Sequence, residues 1–187
     1  MAVGRVNQGL SVSPSGCTGT LISPTQILTA GHCAGLNILV EQGYSFLAGY
    51  HRALPLTRLP VMALRVHPDS SPELTIESIP NDLALLTLGT PTDIAPMAIG
   101  PPPQIGEVLS IVSYRNAALA APTLTNGCTV INQQNRVNAL NCAAHPGMSG
   151  APLLRLTENG PELVAVIIAT GGGDISFAAT PDAWARE

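Results

Sequence analysis

The apolar residues of this chain come in runs of strand length, and turn-forming residues separate them from one end to the other. Leu163–Ala169 is among the longest of these runs, far short of the roughly 20 residues a helix needs to cross a bilayer. Cys17–Ile22 and Gln26–Ala30 flank Ser23-Pro24-Thr25 and read as a strand–turn–strand unit. Tyr44–Tyr50, Val61–Val66, Leu83–Leu88 and Glu107–Tyr114 read as further strands. Leu153–Leu156 and Leu163–Thr170 flank Asn159-Gly160, a strong local turn signal. The 18 Gly and 17 Pro are scattered, as frequent turns between short elements require. The pattern predicts an all-β protein. His67–Asn81, rich in Pro, Ser and Glu, is expected to be an exposed loop. Thr180-Pro181, a capping residue followed by Pro, predicts a short C-terminal helix.

With 187 residues, the chain can form one sizeable core or two small β domains that share an interface. The stretch Pro91–Pro103 carries five prolines and is the best candidate for a connection between them. The expected domains are residues 1–95 and 104–187. Aromatic residues make up only 3%, so the core must be built from Leu, Ile, Val and Ala. The net charge is −4, and all eight basic residues are dispersed arginines. No basic run could track a phosphate backbone, which argues against nucleic-acid binding. Met1–Leu10 has no apolar stretch of signal-peptide type, so either a leader has been removed or the protein stays inside the cell.

Four cysteines allow three disulfide connectivities. Their order suggests two local pairs, Cys17 with Cys33 and Cys128 with Cys142. Zinc is the main rival, but neither pair has close CxxC spacing, and free buried thiols remain a further alternative. Paired cysteines would place the protein in an oxidising compartment.

Three segments carry candidate chemistry: Thr29-Ala30-Gly31-His32-Cys33, Asn81-Asp82-Leu83-Ala84-Leu85-Leu86, and Pro146-Gly147-Met148-Ser149-Gly150-Ala151-Pro152. Each is weak alone. A His after a strand is often structural, an Asp at a strand head is often a cap, and a Gly/Ser/Pro cluster is often only a tight loop. Together, in the order His, Asp, Ser, they match one of the known chain orders of a hydrolytic triad.

The chain resembles the trypsin-like serine peptidases over nearly its full length, through CTGTLISPTQILTAGHC, VHPDSSPELTIESIPNDLALLTL, GMSGAPLL and LVAVIIAT. The resemblance implies two antiparallel six-stranded-type β-barrels, the first carrying His32 and Asp82 and the second Ser149, with the active site between them. It implies that His32 is the general base, Ser149 the nucleophile and Asp82 the carboxylate that orients the imidazole. The N–H groups of Gly147 and Ser149 would form the oxyanion hole. The Cys17–Cys33 pairing would bracket the histidine loop, and Cys128–Cys142 would clip the segment entering the serine loop. Neither cofactor nor metal is implied. The expected partners are protein or peptide substrates. A monomer, secreted or periplasmic, is expected.

Two departures from the family bear on specificity and activation. Met148 stands where animal members carry an Asp that binds a newly freed N-terminus, so activation by N-terminal insertion is not expected. The primary pocket is expected to be formed by Ala143, Ala144, Ile168 and Thr170, none of them charged. This predicts a preference for small or medium apolar residues. His145 is read as an exposed loop residue without a role, and Asp69 and Asp93 as poor rivals to Asp82. Two other readings keep the fold but change the biology: a binding module that has lost catalysis, or the protease part of a larger regulated machine.

Overall fold

A run such as Leu83–Leu88 is apolar at almost every position because both of its faces are covered. In the computed structural model, which describes residues 1–8, 16–34, 43–49, 51, 57–115 and 121–186, it is a central strand of the first of two closed β-barrels. That barrel contains β1 (Val3–Gln8), β2 (Cys17–Ser23), β3 (Gln26–Ala30), β4 (Tyr44–Ala48), β5 (Thr57–Val66) and β6 (Leu83–Leu88). Their order is β1-β2-β3-β6-β5-β4, and β4 closes the ring by pairing antiparallel with β1 from Gly4↔Ala48 to Gln8↔Tyr44.

The second barrel contains β8 (Val108–Ser113), β9 (Thr123–Gln134), β10 (Val137–Leu140), β11 (Pro152–Thr157), β12 (Gly160–Gly172) and β13 (Ile175–Ala179). Its order is β11-β8-β9-β10-β13-β12, closed by β11 with β12. A short β7 (Ala98–Ile99) is added in parallel along β12. The fold is therefore two six-stranded antiparallel barrels.

Side chains alternate across a strand, so one strand can serve two cores at once. Leu86 and Leu88 of β6 point into the first barrel with Ile27 and Phe46, whereas Leu83 and Leu85 point out of it. Those outward residues join Leu28 and Ala30 of β3 in a cluster with Leu163, Val166 and Ile168 of β12 and Ala179 of β13. The second barrel has its own core, including Ile111, Val130, Leu140 and Leu153. The register shift opposite Leu153/Leu154 explains why both Val164 and Ala165 of β12 turn into that core.

The connection Pro91–Pro103 is fastened at both ends. Met97 donates its N–H to the Leu21 carbonyl (2.8 Å), and Gly100 donates to that of Leu163 (2.9 Å). Arg155 grips its far end, donating from Nε and Nη2 to the two oxygens of Glu107 (2.6 and 2.8 Å) and from Nη1 to the Pro101 carbonyl (3.2 Å).

Three sequence expectations need correction or limits. The C-terminal helix is only a single 3-10 turn, Trp184–Arg186. Thr180 does not cap it, because its hydroxyl accepts from the buried Asn138 amide (2.9 Å); Asp182 accepts the Ala185 N–H instead (3.3 Å). The 67–81 loop is exposed only in its middle. His67 is buried under the edge of Trp184 and bonded to Asp182 (3.1 Å), and Ile79 and Pro80 are buried just ahead of Asp82. The strand expected over Tyr44–Tyr50 ends at Ala48, and Tyr50 lies outside the described residues.

The Arg155 hydrogen bonds hold the Glu107 carboxyl below the ordinary glutamate range, against the opposing effect of burial. A carboxyl depressed in the folded state contributes stability above its unfolded pKa, about 4.3, and loses it as pH falls through the folded value. Thermal scans between about pH 7 and pH 2 should therefore show a shallower acid decline for Glu107→Gln than for wild type, the two curves converging at the acid end. Parallel curves would show that this pair adds nothing to stability.

Candidate active site

The site begins where β3 runs out. The chain leaves Ala30 into a 3-10 turn, Gly31–Ala34, that carries His32. On the neighbouring strand, the 3-10 turn Ile79–Asn81 delivers Asp82 to the head of β6. Gly31 donates its N–H to the Asp82 carbonyl (2.9 Å), which locks the two turns together. The Asp82 carboxylate then binds His32 twice: Oδ1 accepts the His32 backbone N–H (2.7 Å), and Oδ2 lies 2.5 Å from ring Nδ1. An ionised carboxylate only accepts hydrogen bonds, so this contact calls for the proton on Nδ1, and in the neutral imidazole that tautomer leaves the Nε2 lone pair free. Asp82 is 4% exposed, which shields this contact from water and counterions. Asp69 and Asp93 are both exposed and neither is bonded to His32; the Asp69 backbone N–H serves His67.

Cys17 and Cys33 are joined, with Cα atoms 6.0 Å apart, tying the histidine turn to the start of β2. The ligand atoms of Cys17, Cys33 and His32 gather within 4.8 Å of one another. Both sulfurs are engaged in the disulfide, which leaves the imidazole as the only metal-competent donor of that group.

Ser149 comes from the second barrel, on the loop between β10 and β11. Cys128–Cys142 fixes the loop's entry (Cα–Cα 5.2 Å). Its middle is held from beneath by Met148, whose side chain is buried in the second core and whose sulfur accepts the His145 N–H (3.2 Å). Gly147 has φ +92°, a conformation L side chains rarely adopt, and a Cβ there would lie 2.5 Å from the Tyr114 carbonyl. Beyond Ser149, Gly150 donates its N–H to the Ile167 carbonyl (2.8 Å).

His32 and Ser149 line one cavity of about 360 Å³. Among the described residues no hydrogen bond joins them; such contacts are often long without substrate and tighten in its presence. Of the pocket residues expected from sequence, Ala144, Ile168 and Thr170 line this cavity and Ala143 does not. The Thr170 hydroxyl is turned to its own hairpin, accepting from Gly172 N–H (3.3 Å). Five further residues line it: Pro146, Ile167 and Ala169 beside the expected ones, His145, read from sequence as without a role, and Leu74, from the exposed part of the 67–81 loop. Leu74 lies in a polar loop without strand periodicity, so no local pattern marks it. Asp174 is not among the lining residues.

A two-barrel β protein in which a His backed by a buried Asp in one barrel shares a cavity with a loop serine of the other has the architecture of a chymotrypsin-type hydrolase. The chain belongs to the trypsin-like peptidase family: the description "trypsin-like peptidase domain" matches residues 17–166. That membership makes it a serine-type endopeptidase. No curated protein matches the chain. Among solved structures it is similar to a Glu endopeptidase in complex with MPD, at 20% identity and TM-score 0.77, covering 99% of this chain and 86% of that one. It is also similar to protease Anisep from Arthrobacter nicotinovorans (16%, 0.75, 96% and 89%) and to the thermostable serine protease AL20 from an extremophilic microorganism (17%, 0.76, 96% and 90%). Identities this low carry the fold and no more.

At Gly150 the serine loop lies directly against β2 and β3 of the first barrel. Gly150 has φ +79°, and a Cβ would press into the Thr18 carbonyl and the Thr29 hydroxyl. Gly150→Ala should therefore lose at least about 1–3 kcal/mol from backbone strain alone, with steric conflict added. Urea unfolding checks this, and an unchanged midpoint would contradict the close approach.

Proposed function

We propose that the protein hydrolyses peptide bonds through His32, Asp82 and Ser149, by way of an acyl-enzyme. The observation that carries this is the Asp82 carboxylate held against Nδ1 of His32, with Ser149 on the same cavity. In the first step Ser149 Oγ attacks the scissile carbonyl carbon while its proton passes to His32 Nε2. The carbonyl electrons move onto oxygen, and the N–H groups of Gly147 and Ser149 receive that oxyanion. Collapse breaks the C–N bond, and His32 returns the proton to the leaving amine. Water then repeats the sequence against the ester and frees Ser149. Asp82 keeps the imidazole in the reactive tautomer and stabilises the imidazolium.

The primary pocket is read as apolar. Ala144 and Ile168 bring no charge to the cavity wall, and the Thr170 hydroxyl is turned to its own hairpin. Burying an unpaired substrate charge there would cost several kcal/mol. The acidic specificity in the name of the Glu endopeptidase is therefore not carried over to this chain. The two disulfides favour an oxidising compartment, secreted or periplasmic, and among the described residues no helix is long and apolar enough to cross a membrane.

Ser149→Ala should abolish peptidase activity without shifting the unfolding transition, and wild type should take up a fluorophosphonate at Ser149 alone. Asp82→Asn should remain folded and lose about 10⁴-fold in turnover. Unlabelled wild-type protein would instead favour a binding module on the same fold. Cleavage of a mixed peptide library should favour small or medium apolar residues at the primary position. A dominant acidic preference would implicate His145 on the cavity wall, and a dominant basic one Asp174.

A further inference from the structure

Thr18 lies on β2, in the first barrel, yet its hydrogen bonds reach the serine loop of the second. It is completely buried. Its backbone N–H donates to the Ser149 carbonyl (2.9 Å), and its hydroxyl donates to the Gly147 carbonyl (2.8 Å). The same hydroxyl oxygen accepts the Tyr114 N–H (2.9 Å), and the Thr18 carbonyl accepts the Thr29 hydroxyl (2.8 Å). Every polar atom of Thr18 therefore has a partner. The hydroxyl has one proton, and because Tyr114 N–H can only donate, that proton is committed to Gly147.

From this arrangement we infer that Thr18 is a positioning residue for the oxyanion hole, a role that rests on the assignment of Ser149 and Gly147 above. Peptide groups are planar, so fixing a carbonyl fixes the whole unit. Thr18 pins the unit from Gly147 to Met148 through one carbonyl and the unit from Ser149 to Gly150 through the other. The unit carrying the Ser149 N–H lies between these two and is held on both sides. The Gly147 N–H belongs to the unit just before. Gly147 is the residue about which it would turn, since glycine has the widest conformational freedom. With the Gly147 carbonyl bound, rotation there is opposed by the loss of a buried hydrogen bond. The two oxyanion donors are thus aimed by one residue of the opposite barrel, through its backbone N–H and its hydroxyl, before any substrate arrives. Preorganisation of this kind makes donors effective in the transition state.

The test compares Thr18→Val, which keeps the shape and removes the hydroxyl, with Thr18→Ser, which keeps the hydroxyl. Thr18→Ala serves as a second deletion, differing from Thr18→Ser only in the oxygen. Rates are expressed per Ser149 that accepts fluorophosphonate at end point, so misfolded material does not count. Thr18→Val and Thr18→Ala should lose about 10- to 100-fold in kcat with KM little changed, less than the roughly 10²- to 10³-fold cost of deleting a donor outright. Their affinity for a peptide boronate, whose tetrahedral adduct places an oxygen in the hole, should fall in parallel, while a product peptide binds as before. Thr18→Ser should stay within about threefold of wild type. Wild-type kcat in Thr18→Val or Thr18→Ala, a Thr18→Ser as slow as Thr18→Ala, or a loss of kcat with boronate affinity unchanged would each overturn the inference. Wild-type protein that takes up no fluorophosphonate at Ser149 would defeat the peptidase assignment itself, a separate result.

Discussion

The apolar cluster between the barrels is the constraint on which the site depends. Leu28 and Ala30 of β3 and Leu83 and Leu85 of β6 meet Leu163, Val166 and Ile168 of β12 there. The same strands end in functional groups. β3 runs into the His32 turn, Asp82 immediately precedes β6, and β12 continues from the cluster into the cavity wall at Ile168 and Thr170. Hydrophobic burial is non-directional, so it holds the two halves together without fixing their alignment. Alignment comes from directional contacts laid over it: the Thr18 bonds to the serine loop and to Tyr114 at the end of β8. Position is set by burial and orientation by hydrogen bonds.

The His32–Asp82 pair draws its character from this surrounding structure. An exposed ion pair of the same length would contribute little, because water and salt screen it. Here the carboxylate is buried at the barrel interface, and its second oxygen is occupied by the His32 backbone, so it cannot turn to another partner. The imidazole remains open to the cavity on its other edge. Burial on one side and access on the other suit the general-base role proposed for His32.

Much of this was legible in the sequence, and the reasons differ by element. β3 and β6 stood out because strands buried on both faces are nearly continuous in apolar residues, and the segments bearing His32 and Asp82 adjoin them. β9 was missed because its outward face is polar; only Cys128 and Val130 reach the core from the middle of a run rich in Asn, Gln and Thr. β1 was missed for a related reason, since it buries Arg5 and Asn7 along with its two valines. Thr18 could not be singled out, because its hydroxyl partner lies 129 positions away and nothing local distinguishes it from the other strand threonines. The C-terminal helix was overread because Thr180, a good cap in isolation, is held by Asn138 in the folded chain.

Met148 joins two kinds of selection that are usually separate. Its side chain fills the second core beside Leu140, Leu153 and Ile167, while its backbone lies between the peptide groups of Gly147 and Ser149. Core positions generally tolerate exchange among residues of similar volume. Around Met148 that tolerance is narrowed, because a small repacking shift would move the backbone that bears Ser149, the proposed nucleophile. Drift in this core is therefore screened by turnover as well as by stability.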